Sequence, residues 1–120
     1  MDFASFREFC LALPFTDESF PFDEKALVFK VGGKIFAITD VDTFDSVIVK
    51  CDPEEAIELR ETYPFVQPGY HMNKKHWNSI MIVPALPREL LTKWVRDSYA
   101  LVYASLPAKL KKALAAGNSA

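Results

Sequence analysis

The chain has 120 residues, half of them hydrophobic and a quarter charged, which suits one globular domain with a single substantial core and excludes a disordered chain. No run approaches the roughly 18 uninterrupted apolar residues of a membrane span. The opening Met1-Asp2-Phe3 carries an acid where a secretory leader carries bases, so a cytoplasmic protein is expected. The net charge of −2 hides a split: residues 1–65 hold six Lys/Arg against fourteen Asp/Glu, net −8, and residues 66–120 hold eight against two, net +6. Such a split creates a local positive field on an acidic molecule unless folding interleaves the two halves.

Phe3, Phe6, Cys10 and Leu13 recur at helical spacing, with Asp2 placed to cap and Pro14 to stop, so residues 3–13 are predicted to form an amphipathic helix. Residues 14–25, punctuated by Pro and acids, read as a loop with a short extended piece. Leu27 to Val31, Gly32-Gly33 and Lys34 to Ile38 predict a β-hairpin, because two glycines supply the positive φ angles of a tight turn. A two-residue turn pairs Val31 with Lys34, Phe29 with Phe36 and Leu27 with Ile38. That pairing puts Leu27, Phe29, Val31, Phe36 and Ile38 on the core face and Lys30 on the other.

Residues 40–45 read as a polar turn, and Ser46 to Cys51 as a third strand. Asp52-Pro53-Glu54-Glu55 is a helix start: a capping acid, a proline suited to the first helical position, and acids at the positive helix end. This helix is expected to run to Thr62. Residues 63–75 contain Pro64, Pro68 and Gly69 and form an aromatic, basic loop, followed by a strand over His76–Val83. Pro87 opens a long helix with Leu90, Leu91, Trp94, Val95, Ser98, Leu101 and Val102 as its buried stripe, and Pro107 ends it. Residues 107–120 are a short basic helix or a frayed tail. The order of helix, three strands, helix, strand and helix specifies an α+β fold. An antiparallel sheet of four to five strands is expected, with helices on one face, in a single domain over 1–120.

Cys10 and Cys51 lie in apolar segments without metal-ligand spacing, which reads as two free, buried thiols, with a disulfide as the alternative. Glu54, Glu58 and Glu61 share a helix face but have no nearby His or Asp to close a cation site, so they read as a solvated face. Gly32-Gly33 opens no helix and precedes no Lys-Ser/Thr, so it is not a phosphate cradle. No metal, no cofactor and no catalytic set is assigned, and an enzyme is not expected.

Several segments together resemble the MmcQ/YjbR family: Phe-Cys-Leu-Ala-Leu-Pro at 9–14, Phe-Pro-Phe at 20–22, Val-Phe-Lys-Val-Gly-Gly-Lys-Ile-Phe-Ala at 28–37, Val-Lys-Cys-Asp-Pro-Glu-Glu-Ala at 49–56, Pro-Gly-Tyr-His-Met-Asn-Lys-Lys-His-Trp-Asn at 68–78, and Asp-Ser-Tyr at 97–99. The resemblance covers nearly the whole chain, in order. It implies a small cytoplasmic protein with a CyaY-like α+β fold, and DNA as a partner by fold analogy with the double-wing domain of the transcription factor MotA. Frataxin-type CyaY proteins share that fold and bind iron through carboxylates.

The residues that suit a DNA contact cluster in 70–78. Lys74 and Lys75 can neutralise phosphates, Asn73 and Asn78 can hydrogen-bond backbone or base edges, and Tyr70, His71 and Trp77 offer stacking faces. Lys30 and Lys50 extend this basic surface if both project from the open sheet face. The alternative is a protein- or peptide-interaction module that presents the aromatic 63–77 loop to an unidentified partner. No membrane partner is expected.

Overall fold

The structure, a computed structural model, describes residues 1–69 and 72–117. Its first helix, α1 (Phe3–Ala12), begins as expected: the Asp2 carboxylate accepts the Ser5 N–H at 2.8 Å, and Phe6 and Cys10 are buried. Next come β1 (Thr16–Ser19), β2 (Ala26–Val31), β3 (Lys34–Asp40) and β4 (Ser46–Lys50). Helix α2 (Pro53–Thr62) follows, then β5 (Val66–Pro68), β6 (Trp77–Met81), α3 (Arg88–Ala104) and α4 (Ala108–Ala115). Asp52 caps α2 by accepting the N–H groups of Glu54 and Glu55 at 3.2 and 3.4 Å.

The six strands form one antiparallel sheet in the order β1-β2-β3-β4-β6-β5. The class is the expected α+β one, with more strands than the sequence indicates. The additions are the two edge strands: β1 reads Thr-Asp-Glu-Ser and β5 only Val-Gln-Pro, and neither carries an apolar alternation. Helices cover one face. There Leu27, Phe29, Val31, Phe36, Val47, Val49, Val66 and Ile80 meet Phe6, Cys10, Ala56, Leu91, Trp94, Val95 and Val102 in a single core. Leu101, expected in the buried stripe of α3, is exposed. Helix α4 is ordered through Ala115 and packs Leu110 and Leu114 against that core.

The hairpin forms with both glycines at positive φ, 57° and 80°, but its register departs from simple two-residue pairing. Lys30 faces Ile35, whereas Phe29 faces Ala37, so Phe36 is an extra residue in β3. This β-bulge turns Phe36 inward, where its ring meets Phe29 and Tyr99. It also shifts the rest of β3 by one residue. Ile38 therefore pairs with Val28 rather than Leu27, and lies on the face away from the helices instead of the core face.

A bulge leaves ladder groups unpaired. Beside the bulge, where the β3–β4 pairing ends at Ala37 and Val49, α3 reaches the Phe36 C=O and the Lys50 N–H. Ser98 Oγ donates to the Phe36 carbonyl at 2.6 Å and accepts the Lys50 N–H at 2.9 Å. Ser98 is fully buried, so one hydroxyl satisfies both backbone groups and joins α3, β3 and β4. At the hairpin tip, a Cβ on Gly32 would come within 2.6 Å of Leu106 Cδ1 and 3.2 Å of Leu110 Cδ2. Only glycine lets the turn approach the start of α4 this closely.

Candidate functional site

Residues directly opposed across an antiparallel pair share a sheet face, and the face alternates along each strand. Val28, Ile38 and Ile48 are mutually opposed, and Ile48 also faces Ser79. This row points away from the helices and defines the outer face. Lys30 lies two residues beyond Val28 and Lys50 two residues beyond Ile48, so both lysines project from that face. Lys50 is directly opposite Trp77 on β6. With strands about 4.8 Å apart, the Lys30 and Lys50 backbones are separated by roughly 10 Å. That is close to one Debye length at physiological salt, so their fields overlap.

The turn into β6 ends beside them. The Cys51 N–H donates to the His76 carbonyl at 2.7 Å, fixing the turn to the end of β4, and Arg60 Nη2 on α2 donates to the Lys74 carbonyl at 3.1 Å. Asn73 Oδ1 accepts the Lys75 N–H at 2.8 Å, an Asx turn that leaves Lys74 and Lys75 exposed. Gly69 lies flat on Trp77: its N–H donates to the Trp77 carbonyl, and a Cβ there would sit 2.7 Å from Trp77 Cβ. The Trp77 side chain is half-buried on the outer face.

The lysines at this end of the sheet are Lys30, Lys34, Lys50, Lys74 and Lys75. The ion pairs among the described residues are Arg7–Glu18 and Lys93–Asp97, both elsewhere. Carboxylates also stand at this end: Asp17 on β1 is the strand partner of Lys30, and Asp52, Glu54 and Glu55 follow Lys50 at the exposed start of α2. The basic α4, with Lys109, Lys111 and Lys112, abuts the same end through the Gly32 contact. The opposite end carries Asp23, Asp40, Asp42 and Asp45. Lysines thus predominate on the outer face at the hairpin end and aspartates at the other, with Asp17 and Asp52 among the lysines and Lys25 among the aspartates.

Asn78 leaves the expected set. It alternates with Trp77, points to the helix side and is fully buried, where its Nδ2 donates to the Ala56 carbonyl at 3.2 Å and lies 3.8 Å from Cys51 Sγ. No base edge reaches it in the folded chain. Asn73 has one oxygen committed to its own turn. Tyr70 and His71 lie outside the described residues.

Among the described residues of 63–77, two of the aromatic rings are not offered to solvent. Phe65 is buried, and Tyr63 stacks on it while both rings contact Trp94 of α3, which makes them core. Aromatic composition alone does not separate a docking loop from a segment anchored under a helix.

Both cysteines are free and buried. Burial pushes the Cys51 thiol up to about 11, with Glu55 and Asp97 adding to the rise, and burial pushes Cys10 up further. Neither is a thiolate near neutral pH, so neither is suited to nucleophilic work. Among the described residues no cluster of His, Cys, Asp or Glu could hold a metal, and Glu54, Glu58 and Glu61 are exposed on α2. Among those residues, too, no helix is long and apolar enough to cross a membrane.

Comparison with known proteins places this architecture. A family model described as YjbR matches residues 11–101. The uncharacterized protein YbdF of Escherichia coli O157:H7 is 35% identical over 112 residues, covering 92% of each chain. The uncharacterized protein YjbR of Escherichia coli K12 is 31% identical over 115 residues, covering 95% of this chain and 98% of its own. Among solved structures, a Deinococcus radiodurans protein with a DUF419 domain superposes with a TM-score of 0.87 at 38% identity, over 98% of this chain and 90% of that one. A Pseudomonas syringae protein reaches 0.71 at 22% identity, over 85% and 99%, a likeness of fold alone. With most of its length matched by the family model and by relatives of nearly equal size, the chain belongs to the YjbR family.

Proposed function

We propose that the chain is a DNA-binding module, not an enzyme, and that it contacts the phosphate backbone through the hairpin end of its outer sheet face. The observation that carries this reading is the convergence of Lys30 and Lys50 with Trp77 on one face, beside the exposed Lys74 and Lys75. Cations spaced across a face bind phosphates without reading sequence, and an adjoining indole offers a stacking surface to an unpaired base. Asp17 opposite Lys30 weakens that edge, so Lys50, Lys74 and Lys75 carry most of the contact.

With about four phosphates neutralised, affinity for duplex DNA falls with salt at a log–log slope of roughly −3 to −4, in the non-specific Kd range of about 10⁻⁴ to 10⁻⁶ M. Fluorescence anisotropy on labelled duplex and single strands, at two salt concentrations, checks this. Replacing Lys50, Lys74 and Lys75 by Glu is expected to abolish binding across sequences. Trp77→Ala should weaken single strands more than duplex, by about 1–3 kcal/mol per stacked base. Absence of salt-sensitive binding up to about 1 mM, tenfold beyond the weak end of the non-specific range, removes this reading.

A further inference from the structure

The other end of the outer face holds a cavity of about 800 Å³, within the roughly 300–1,000 Å³ typical of small-molecule sites. Its floor is apolar and drawn from four adjacent strands: Ala26, Ile38, Ile48 and Met81. Ile38 and Ile48 are directly opposed, so their side chains form a continuous surface. Phe22, on the β1–β2 loop, stands at the rim with 65% of its surface exposed, an aromatic ring that the free chain leaves in water. Such a ring gains from covering an apolar body placed on that floor.

The charge of the rim selects the kind of body. Asp23, Asp40 and Asp45 line the cavity, against Lys25 as the one cation among its described lining residues. Two of these carboxylates are held in place by their own turns. Asp23 Oδ1 accepts the Ala26 and Lys25 N–H groups at 2.7 and 2.8 Å, and Asp40 Oδ1 accepts the Asp42 and Thr43 N–H groups at 2.8 and 3.1 Å. Those bonds also hold both acids below the usual carboxylate range, so they stay anionic at neutral pH.

We propose that this cavity binds a small organic cation: a protonated amine on an aromatic or branched aliphatic body, with the ammonium among Asp23, Asp40 and Asp45 and the body on Ile38, Ile48 and Met81 beneath Phe22. A phosphate-bearing ligand is disfavoured here by like charge, so the site is distinct from the lysine end and does not rest on it.

The test is a ¹H–¹⁵N correlation titration of the full chain with tryptamine, with indole-3-propionate as the anion of nearly equal shape. Tryptamine is expected to shift the Ile38, Ile48 and Met81 amides saturably, and the anion to leave them unmoved. Asp40→Asn keeps the Oδ1 acceptor, and hence the turn, but removes the charge; it is expected to weaken tryptamine about fivefold. Ile48→Lys, at a half-exposed position, fills the floor with an ammonium and should abolish the shifts. The proposal is overturned by equal shifts from both compounds, by no saturable shift, or by a folded Asp40→Asn variant that binds as the parent does. If Ile48→Lys does not fold, Asp40→Asn decides alone.

Discussion

At the scale of single residues, burial decides which polar groups face solvent chemistry. The Cys51 thiol is shifted from 9.0 to about 11 chiefly by desolvation. The sign of the linkage follows: between these values the unfolded chain has lost a proton that the folded chain keeps, so unfolding is favoured as pH rises. Stability that is fully present below about pH 9 is therefore expected to fall between about 9 and 11, with Cys10 adding to the loss. Urea unfolding at pH 8 and pH 10, with the parent compared to Cys51→Ser, measures it; a parent and variant that lose stability equally over this interval contradict it. Lys30 and Lys50 were legible as outward-facing residues because apolar neighbours flank each of them in its strand. The fate of Asn78 was not legible, because its partners, the Ala56 carbonyl and Cys51, lie more than twenty residues away and meet it only through sheet pairing.

At the scale of elements, the β2–β3 hairpin was written plainly in its alternation and glycine pair, and the helix starts in Asp2 and Asp52. The bulge was hidden because Phe36, Ala37 and Ile38 are all apolar, so the pattern gives no preference for which of them faces inward. Beside it, Ser98 joins the Phe36 C=O and the Lys50 N–H. Ser98→Ala is expected to destabilise the fold by about 2–4 kcal/mol, since a buried carbonyl and a buried N–H both lose their partner. Chemical denaturation should show this as a lowered midpoint with an unchanged slope, and a loss under about 1 kcal/mol would mean that water replaces the hydroxyl. Ser98→Thr, which keeps the hydroxyl but adds a methyl in a closed site, separates the hydrogen bonds from packing.

At the scale of the whole molecule, the net charge of −2 describes the surface poorly. The C-terminal half brings its lysines to the hairpin end through the β6 turn and α4. The acidic half leaves Asp23, Asp40 and Asp45 at the other. The imbalance between the halves was visible in the sequence, but the axis along which it is laid out required the strand order. The same holds for the cavity. Its floor takes outward-facing residues from four strands, and no local pattern marks them as neighbours. A sheet with helices on one side leaves its other side uncovered, and here lysines predominate toward one end of that side and aspartates toward the other.

The serine beneath the bulge has one more effect, on hydrogen exchange. An interior β amide normally exchanges when its own ladder opens, but the Lys50 N–H is held by a side chain from a helix. Its exchange rate should therefore follow the lifting of α3 from the sheet rather than the parting of β3 from β4. One proton, on the residue that projects beside Trp77, thus reports how often the helical layer separates from the sheet.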